Sequence, residues 1–324
     1  MATNKSKGSF LKNNLVQIFG TLPKPPVIEG KERFLIINGD DLCKDENTTR
    51  SIVAAYRHGI LTSTSAFINM EGSVEQLIKV HQENPELPIG LHLNLTLGSP
   101  VSEQKEVAGL TDIQGLFYDI DRIIRFLPNM KFREVQKELS AQAELFVSSG
   151  VQMSHINYHH HLAALYTPFF KAVREIALKY HVPVRNPVPA SLYQIISLEG
   201  NGGGGSEGVK KFLRFAITHP FKIIPLIKKV SPDALINQKN LMFAEGIKST
   251  NWFIDSFYKN ASVANFKSIL KQLPAGVSEI VCHPGLDQEL EVLTDESLKA
   301  AIADLGIHLV SWEYLNKLNY KWKN

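Results

Sequence analysis

Short, unbroken apolar segments recur along this chain, and each gives way to polar or turn residues before an amphipathic stretch begins. The first is Phe34-Leu35-Ile36-Ile37, which runs into Asn38-Gly39-Asp40-Asp41. A run of this kind suits a strand covered on both faces, as in a parallel sheet. A helix is expected next, capped near Asn47 or Thr48, presenting Ile52, Val53 and Tyr56, and closed by Gly59. The alternation then repeats. Strands are expected over 64–69, 89–96, 151–159, 279–282 and 308–312, an extended piece over 182–185, and helices over 74–81, 132–149, 168–180, 263–273 and 295–305. This many βα units predict an α/β fold whose parallel sheet closes, or nearly closes, into a barrel. The competing arrangement is an open doubly wound sheet, but no G-x-G-x-x-G follows the first strand.

The pattern bounds one domain over 31–324, preceded by an extension at 1–30 that ends in Pro23-Lys24-Pro25-Pro26. It breaks down over about 188–252, where an insertion is expected. That insertion holds four consecutive glycines, Gly202 to Gly205, and then an apolar, basic stretch from Lys210 to Pro232 with no acid before Asp233. The glycines read as a flexible connector. Pro220 and Pro225 interrupt any long interfacial helix, so the basic stretch is read as a helical insertion packed on the barrel, and membrane attachment is not expected.

A formal net charge of +3 in 324 residues is too mild for a nucleic-acid partner, and neither zinc-finger spacing nor an aromatic RNP run is present. No apolar run approaches the ~20 residues of a membrane span. Residues 1–30 lack the apolar centre of a signal peptide, and only two cysteines occur, Cys43 and Cys282. A reducing, cytoplasmic location is therefore expected.

The polar residues fall where a parallel barrel keeps its chemistry, at the C-terminal ends of strands. Asp40 and Asp41 follow the first strand, His159 ends another, and His283 directly follows Glu279-Ile280-Val281-Cys282. In Leu91 to Thr96 the leucines occupy one face, and His92, Asn94 and Thr96 the other. If the strand stays regular, His155, Asn157, His159 and His161 also share a face. Taken singly, each feature has an ordinary explanation: an acidic first turn of a helix for Asp40-Asp41, a hydrogen-bonded core histidine for His92, a surface loop for His159-His160-His161. Together those explanations must account for every candidate lying at a strand end or on an inward face, and convergence on one site accounts for it better. Cys282 alternates away from His283 and reads as a core thiol. Cys43 is close enough to face the site, but Lys44 alone is weak ground for a nucleophile.

At these residues the chain resembles the YdjC-like family of carbohydrate deacetylases, which includes chito-oligosaccharide deacetylases. The segments that carry the resemblance are Asn38-Gly39-Asp40-Asp41-Leu42-Cys43, Gly90 to Thr96 with Gly98 and Pro100 beyond it, His155 to His161, Arg185-Asn186-Pro187 and His283-Pro284-Gly285. The match runs from about Phe34 onward and leaves the extension and the glycine-rich insertion uncovered. It implies a distorted (β/α) TIM-like barrel, often dimeric, that binds a divalent metal through Asp41, His92 and His159. Asp40 would be the general base and His283 the general acid, with Arg185 and His161 on the substrate side or behind the ligands. Such a site removes an N-acetyl group from an amino sugar or short oligosaccharide with metal-activated water. One carboxylate and two imidazoles leave coordination positions open, and zinc is the first choice for this donor set, with magnesium or another divalent ion the alternative. Two positions depart from the family pattern: Asn157 stands where an Asp is usual, and Tyr158 where a Ser is usual. They bear on the substrate rather than the reaction. The competing functions are hydrolysis of another amide, an ester or a phosphoester, and a non-catalytic carbohydrate- or membrane-binding barrel. The last has no need of both a base and an acid.

Overall fold

The computed structural model describes residues 24–127, 130–193, 195–196, 232–258 and 260–317. Its strands are β1 (Arg33–Leu42), β2 (Ser63–Ala66), β3 (Ile89–Leu93), β4 (Met153–Tyr158), β5 (Trp252–Ile254), β6 (Gly276–Cys282) and β7 (Ile307–Leu309). The principal helices are α1 (Glu46–His58), α2 (Ser73–Glu83), α3 (Phe132–Ser148), α4 (Thr167–Tyr180), α5 (Pro232–Ala244), α6 (Val263–Gln272) and α7 (Glu296–Asp304).

Every strand pairing is parallel, in the order β4-β3-β2-β1-β6-β5. Strand β1 sits at the centre. It pairs with β6 from Arg33 to Gly39, and along its other edge with β7 first and β2 beyond it. The sheet curls, and the extended piece after α4 bridges its two outer strands: Val184 pairs with Ile156 of β4, and Pro189 with Phe253 of β5. The architecture is thus a distorted TIM-like barrel whose ring is completed by irregular backbone. Apart from β7, the strands are buried along nearly their whole length, which explains their apolar runs. One layer of the interior is fixed by a close contact. His155 stacks on Trp312 at 4.4 Å, and a Cβ on Gly90 would come within 2.4 Å of the His155 ring, so only glycine fits there.

The helices and strands fall where the alternation places them, with informative differences at their ends. The cap of α1 is Asp45 rather than Asn47 or Thr48, its side chain accepting from the Thr48 amide at 2.7 Å. Strand β1 continues through Asp40 and Asp41 instead of stopping at Asn38. Strand β3 ends early because the Asn94 side chain takes over from the ladder, accepting from the amides of Thr96 (2.9 Å) and Leu97 (3.1 Å). Strand β4 ends at Tyr158, where His159–His161 form a tight turn with His160 and His161 both at φ 54°.

In the region read as an insertion, α5 packs on the barrel helices, and Gln238 Nε2 donates to the Ala164 carbonyl at 3.0 Å. The extension up to residue 23, the glycine run and the basic stretch at 210–231 lie outside the described residues. Among the described residues, no helix is long and apolar enough to cross a membrane.

Candidate metal centre

Two adjacent aspartates in a regular strand would point to opposite faces. Here the β1–β2 register shifts between Gly39 and Leu42, and Asp41 takes φ 75°, with Cys43 following at φ 63°. This bulge in the left-handed region is costly for residues other than glycine, and it turns both carboxylates into the barrel mouth.

Asp41 meets the two histidines expected to accompany it. Its Oδ1 lies 3.3 Å from His92 Nε2 and 3.4 Å from His159 Nδ1, and those nitrogens are 3.2 Å apart. The three donors form the one Asp/His/His cluster with metal-ligand spacing among the described residues. Asp41 Oδ1 is buried and has no hydrogen-bond partner there, an expensive state that a cation would relieve. The residues therefore fit a divalent ion. His92 is already oriented for it: Nδ1 lies 2.6 Å from Asn157 Oδ1, so it donates there and leaves the Nε2 lone pair free. Burial pulls His92 down, but Asp40 and Asp41 outweigh it and raise its pKa, whereas burial dominates at His159 and lowers it. Burial also pushes Asp41 up, and the two histidines more than offset this, holding it well below the usual carboxylate range.

Asp40 is surrounded by donors instead. Arg185 grips both oxygens, Nη1 to Oδ2 at 2.6 Å and Nη2 to Oδ1 at 2.7 Å. Asn38 Nδ2 (2.8 Å), Asn157 Nδ2 (3.0 Å) and Ser65 Oγ (3.2 Å) also reach Oδ1. Burial acts to raise Asp40, but the Arg185 charge, with His92 and His283, wins and keeps the carboxylate ionised. Arg185 is completely buried, and its remaining donors bind Glu279 Oε1 at 2.6 and 2.9 Å. Of the two places expected for Arg185, on the substrate side or behind the ligands, these contacts fit the second. With its guanidinium shared between two buried carboxylates, Arg185 stands behind Asp40.

His283 follows β6. Its amide donates to Glu289 Oε2 at 2.6 Å, its ring lies 4.8 Å from that of Tyr258, and its buried Nδ1 has no partner among the described residues. Cys282 pairs with Gly39 across the β1–β6 ladder, which puts His283 beside Asp40. His161 is turned by the left-handed backbone against Phe253 (5.0 Å) and Tyr158 (6.3 Å), with its buried Nδ1 unpartnered among the described residues. Burial pulls its pKa down to about 3. Cys43 belongs to the hydrophobic core, where burial pushes its thiol up, away from the thiolate. Cys282 is a core thiol as expected.

Sequence reasoning passed over Asn38, Ser65, Glu279 and Glu289. Glu279 did carry a signal, since a lone acid inside an apolar buried strand demands a partner. Asn38 had only its place at the head of the Asn38–Cys43 segment, and Ser65 had none, because short polar side chains near turns are ordinary.

A model of the family described as YdjC-like protein matches residues 34–304. The chain belongs to the YdjC-like family. It is 27% identical over 298 residues to a carbohydrate deacetylase of Clostridium beijerinckii, a match covering 86% of this chain and 98% of that relative. It is 28% identical over 300 residues to a chitooligosaccharide deacetylase of Proteus mirabilis, covering 87% and 98%. A crystal structure of an Enterococcus faecalis V583 protein named for cellobiose-phosphate cleavage superposes with a TM-score of 0.65 at 25% identity, covering 88% of this chain and 99% of that one.

Proposed function

We propose that this protein is a metal-dependent hydrolase that removes an N-acetyl group from an amino sugar or short oligosaccharide, with Asp41, His92 and His159 holding the ion. The observation that carries the reading is the meeting of three donor atoms at 3.2–3.4 Å, one of them a buried, unpartnered carboxylate oxygen, beside a second carboxylate. Zinc is the first choice for a set of one carboxylate and two imidazoles. The acetylated-sugar substrate is supported by the activities named for the full-length relatives.

A bound ion would supply Lewis-acid polarisation of the acetamide carbonyl and acidify water beside it. The protein's own groups divide the remaining work. Asp40, kept ionised by Arg185, accepts a proton from the attacking water, and its carboxylate cannot swing away while Arg185, Asn38 and Asn157 hold it. His283 delivers a proton to the departing amine nitrogen, its backbone anchored by Glu289. Asn157 fixes the His92 ring and also donates to Asp40, so one amide aligns a ligand and the base. His161 stays on the substrate side of this reading. Arg185 moves to a positioning role.

The test is metal content and acetate release from N-acetylated sugars for the wild type beside His92→Ala. Retention of the full metal complement by the variant would refute the ligand set. Release of a different product by the wild type would refute the substrate class.

A further inference from the structure

The loop that follows β5 presents two features that the proposed chemistry does not use. Asp255 lies one residue beyond Ile254, at the same end of the sheet as Asp40 and His283. Both of its carboxylate oxygens are buried, and neither has a hydrogen-bond partner among the described residues. Its direction follows from the register. Phe253 pairs with Glu279, Arg185 binds Glu279 and lies 5.0 Å over the Phe253 ring, so position 253 faces the interior. Extending the alternation by one residue past the end of β5 puts Asp255 on the same face, one step nearer the mouth. The Arg185 charge acts on Asp255, in keeping with that direction. Three residues on, Tyr258 keeps an exposed ring against His283 at 4.8 Å.

A buried carboxylate with no side-chain donor is an expensive arrangement for a fold to retain, and burial has pushed this one up to about 6 against the opposing pull of its own amide and of the Arg185 charge. Its four lone-pair sites want O–H or N–H donors, and the exposed Tyr258 ring three residues further along the loop offers an apolar platform. A sugar ring has both complements, hydroxyl donors around its edge and apolar C–H faces. Resting on the reading under Proposed function, we infer that the loop 255–258 is the subsite for the sugar ring that carries the leaving nitrogen, with Asp255 accepting two of its hydroxyl hydrogens and Tyr258 stacking on its face. The assignment places the ring on the His283 side of the mouth, where the departing amine needs its proton.

The probe is N,N′-diacetylchitobiose with the metal-loaded protein. Steady-state kinetics of Asp255→Ala, Asp255→Asn and Tyr258→Ala are read beside the binding of the same sugar to His283→Ala, alone and combined with Asp255→Ala. Losing two hydrogen bonds to a charged group is expected to raise KM and Kd at least about tenfold, with kcat changed less than about threefold. Asp255→Asn should fall between wild type and Asp255→Ala, and Tyr258→Ala should raise KM by a smaller factor. Metal content should stay unchanged and Tm should stay level or rise, because no native partner is lost. Unchanged KM and Kd in Asp255→Ala would overturn the subsite, as would a fall in kcat at constant KM, or a lowered Tm in Asp255→Asn. The two proposals separate cleanly. Acetate release with normal KM in Asp255→Ala sinks the subsite alone. Sugar binding that depends on Asp255, without acetate release, sinks the deacetylase reading alone. No sugar binding at all sinks the subsite.

Discussion

Asp40 and Asp41 are neighbours in β1, yet the regions around them are built by opposite rules. Asp40 sits in a closed nest of Arg185, Asn38, Asn157 and Ser65, where its charge is neutralised and its geometry over-determined. Asp41 sits in an open cluster, with one oxygen near exposed Lys44 and the other buried among two imidazoles without a hydrogen bond. The nest is complete as it stands. The cluster is complete only with a cation. The contrast teaches that a fold can spend stability on one carboxylate and withhold it from the next, and that the withheld one marks where a ligand belongs.

The comparison can be broken from either side. The largest effect is expected for His92→Ala: bound metal should drop from about one ion per chain to almost none, by elemental analysis, with acetate release lost. His283→Ala should lower kcat by about 10²–10⁴-fold while metal content and folding stay intact, since it touches neither region's framework. Arg185→Met attacks the nest, leaving Asp40 and Glu279 buried without their cation. A loss of about 3–5 kcal/mol in urea unfolding is expected, and a loss under 1 kcal/mol would show the nest to be dispensable.

Asp255 supplies a pH signature. Its carboxyl is raised from 3.8 to about 6 by burial, so between those values the unfolded chain ionises while the folded protein keeps its proton. Folding should therefore weaken as pH rises through that window. Asp255→Asn should gain on the wild type by on the order of 2–3 kcal/mol between pH 4 and pH 7. A constant difference across that range would mean that Asp255 ionises freely. The smallest effect belongs to the amide that joins nest and cluster: Asn157→Ala should weaken metal affinity about 10–100-fold in a competition titration.

Much of this was legible in the sequence, for identifiable reasons. Apolar runs such as Phe34 to Ile37 require burial on both faces, and the helices between them carry their own caps and stops, so the α/β alternation needs no tertiary information. Asp40, Asp41 and His159 stand out because they follow apolar strands, and His92 because it lies on the polar face of one. The roles of Arg185 and Cys43 were not legible. An arginine after a strand looks alike whether it meets a ligand or two buried carboxylates, and a cysteine beside a site looks alike whether it faces that site or the core. A regular strand over 151–161 gives way after Tyr158, and His160 and His161 enter the left-handed region.

What the sequence determined by itself was the set of elements and the residue types delivered to the mouth of the barrel, because periodicity and propensity act over a few residues at a time. What only the tertiary structure decided was which carboxylate binds which partner. That depends on the β1 bulge turning Asp41 toward His92 and His159, and on Arg185 approaching Asp40 from 145 positions away. Electrostatic pairing falls steeply with distance inside a protein, and separations across the barrel are fixed only once the sheet has curled.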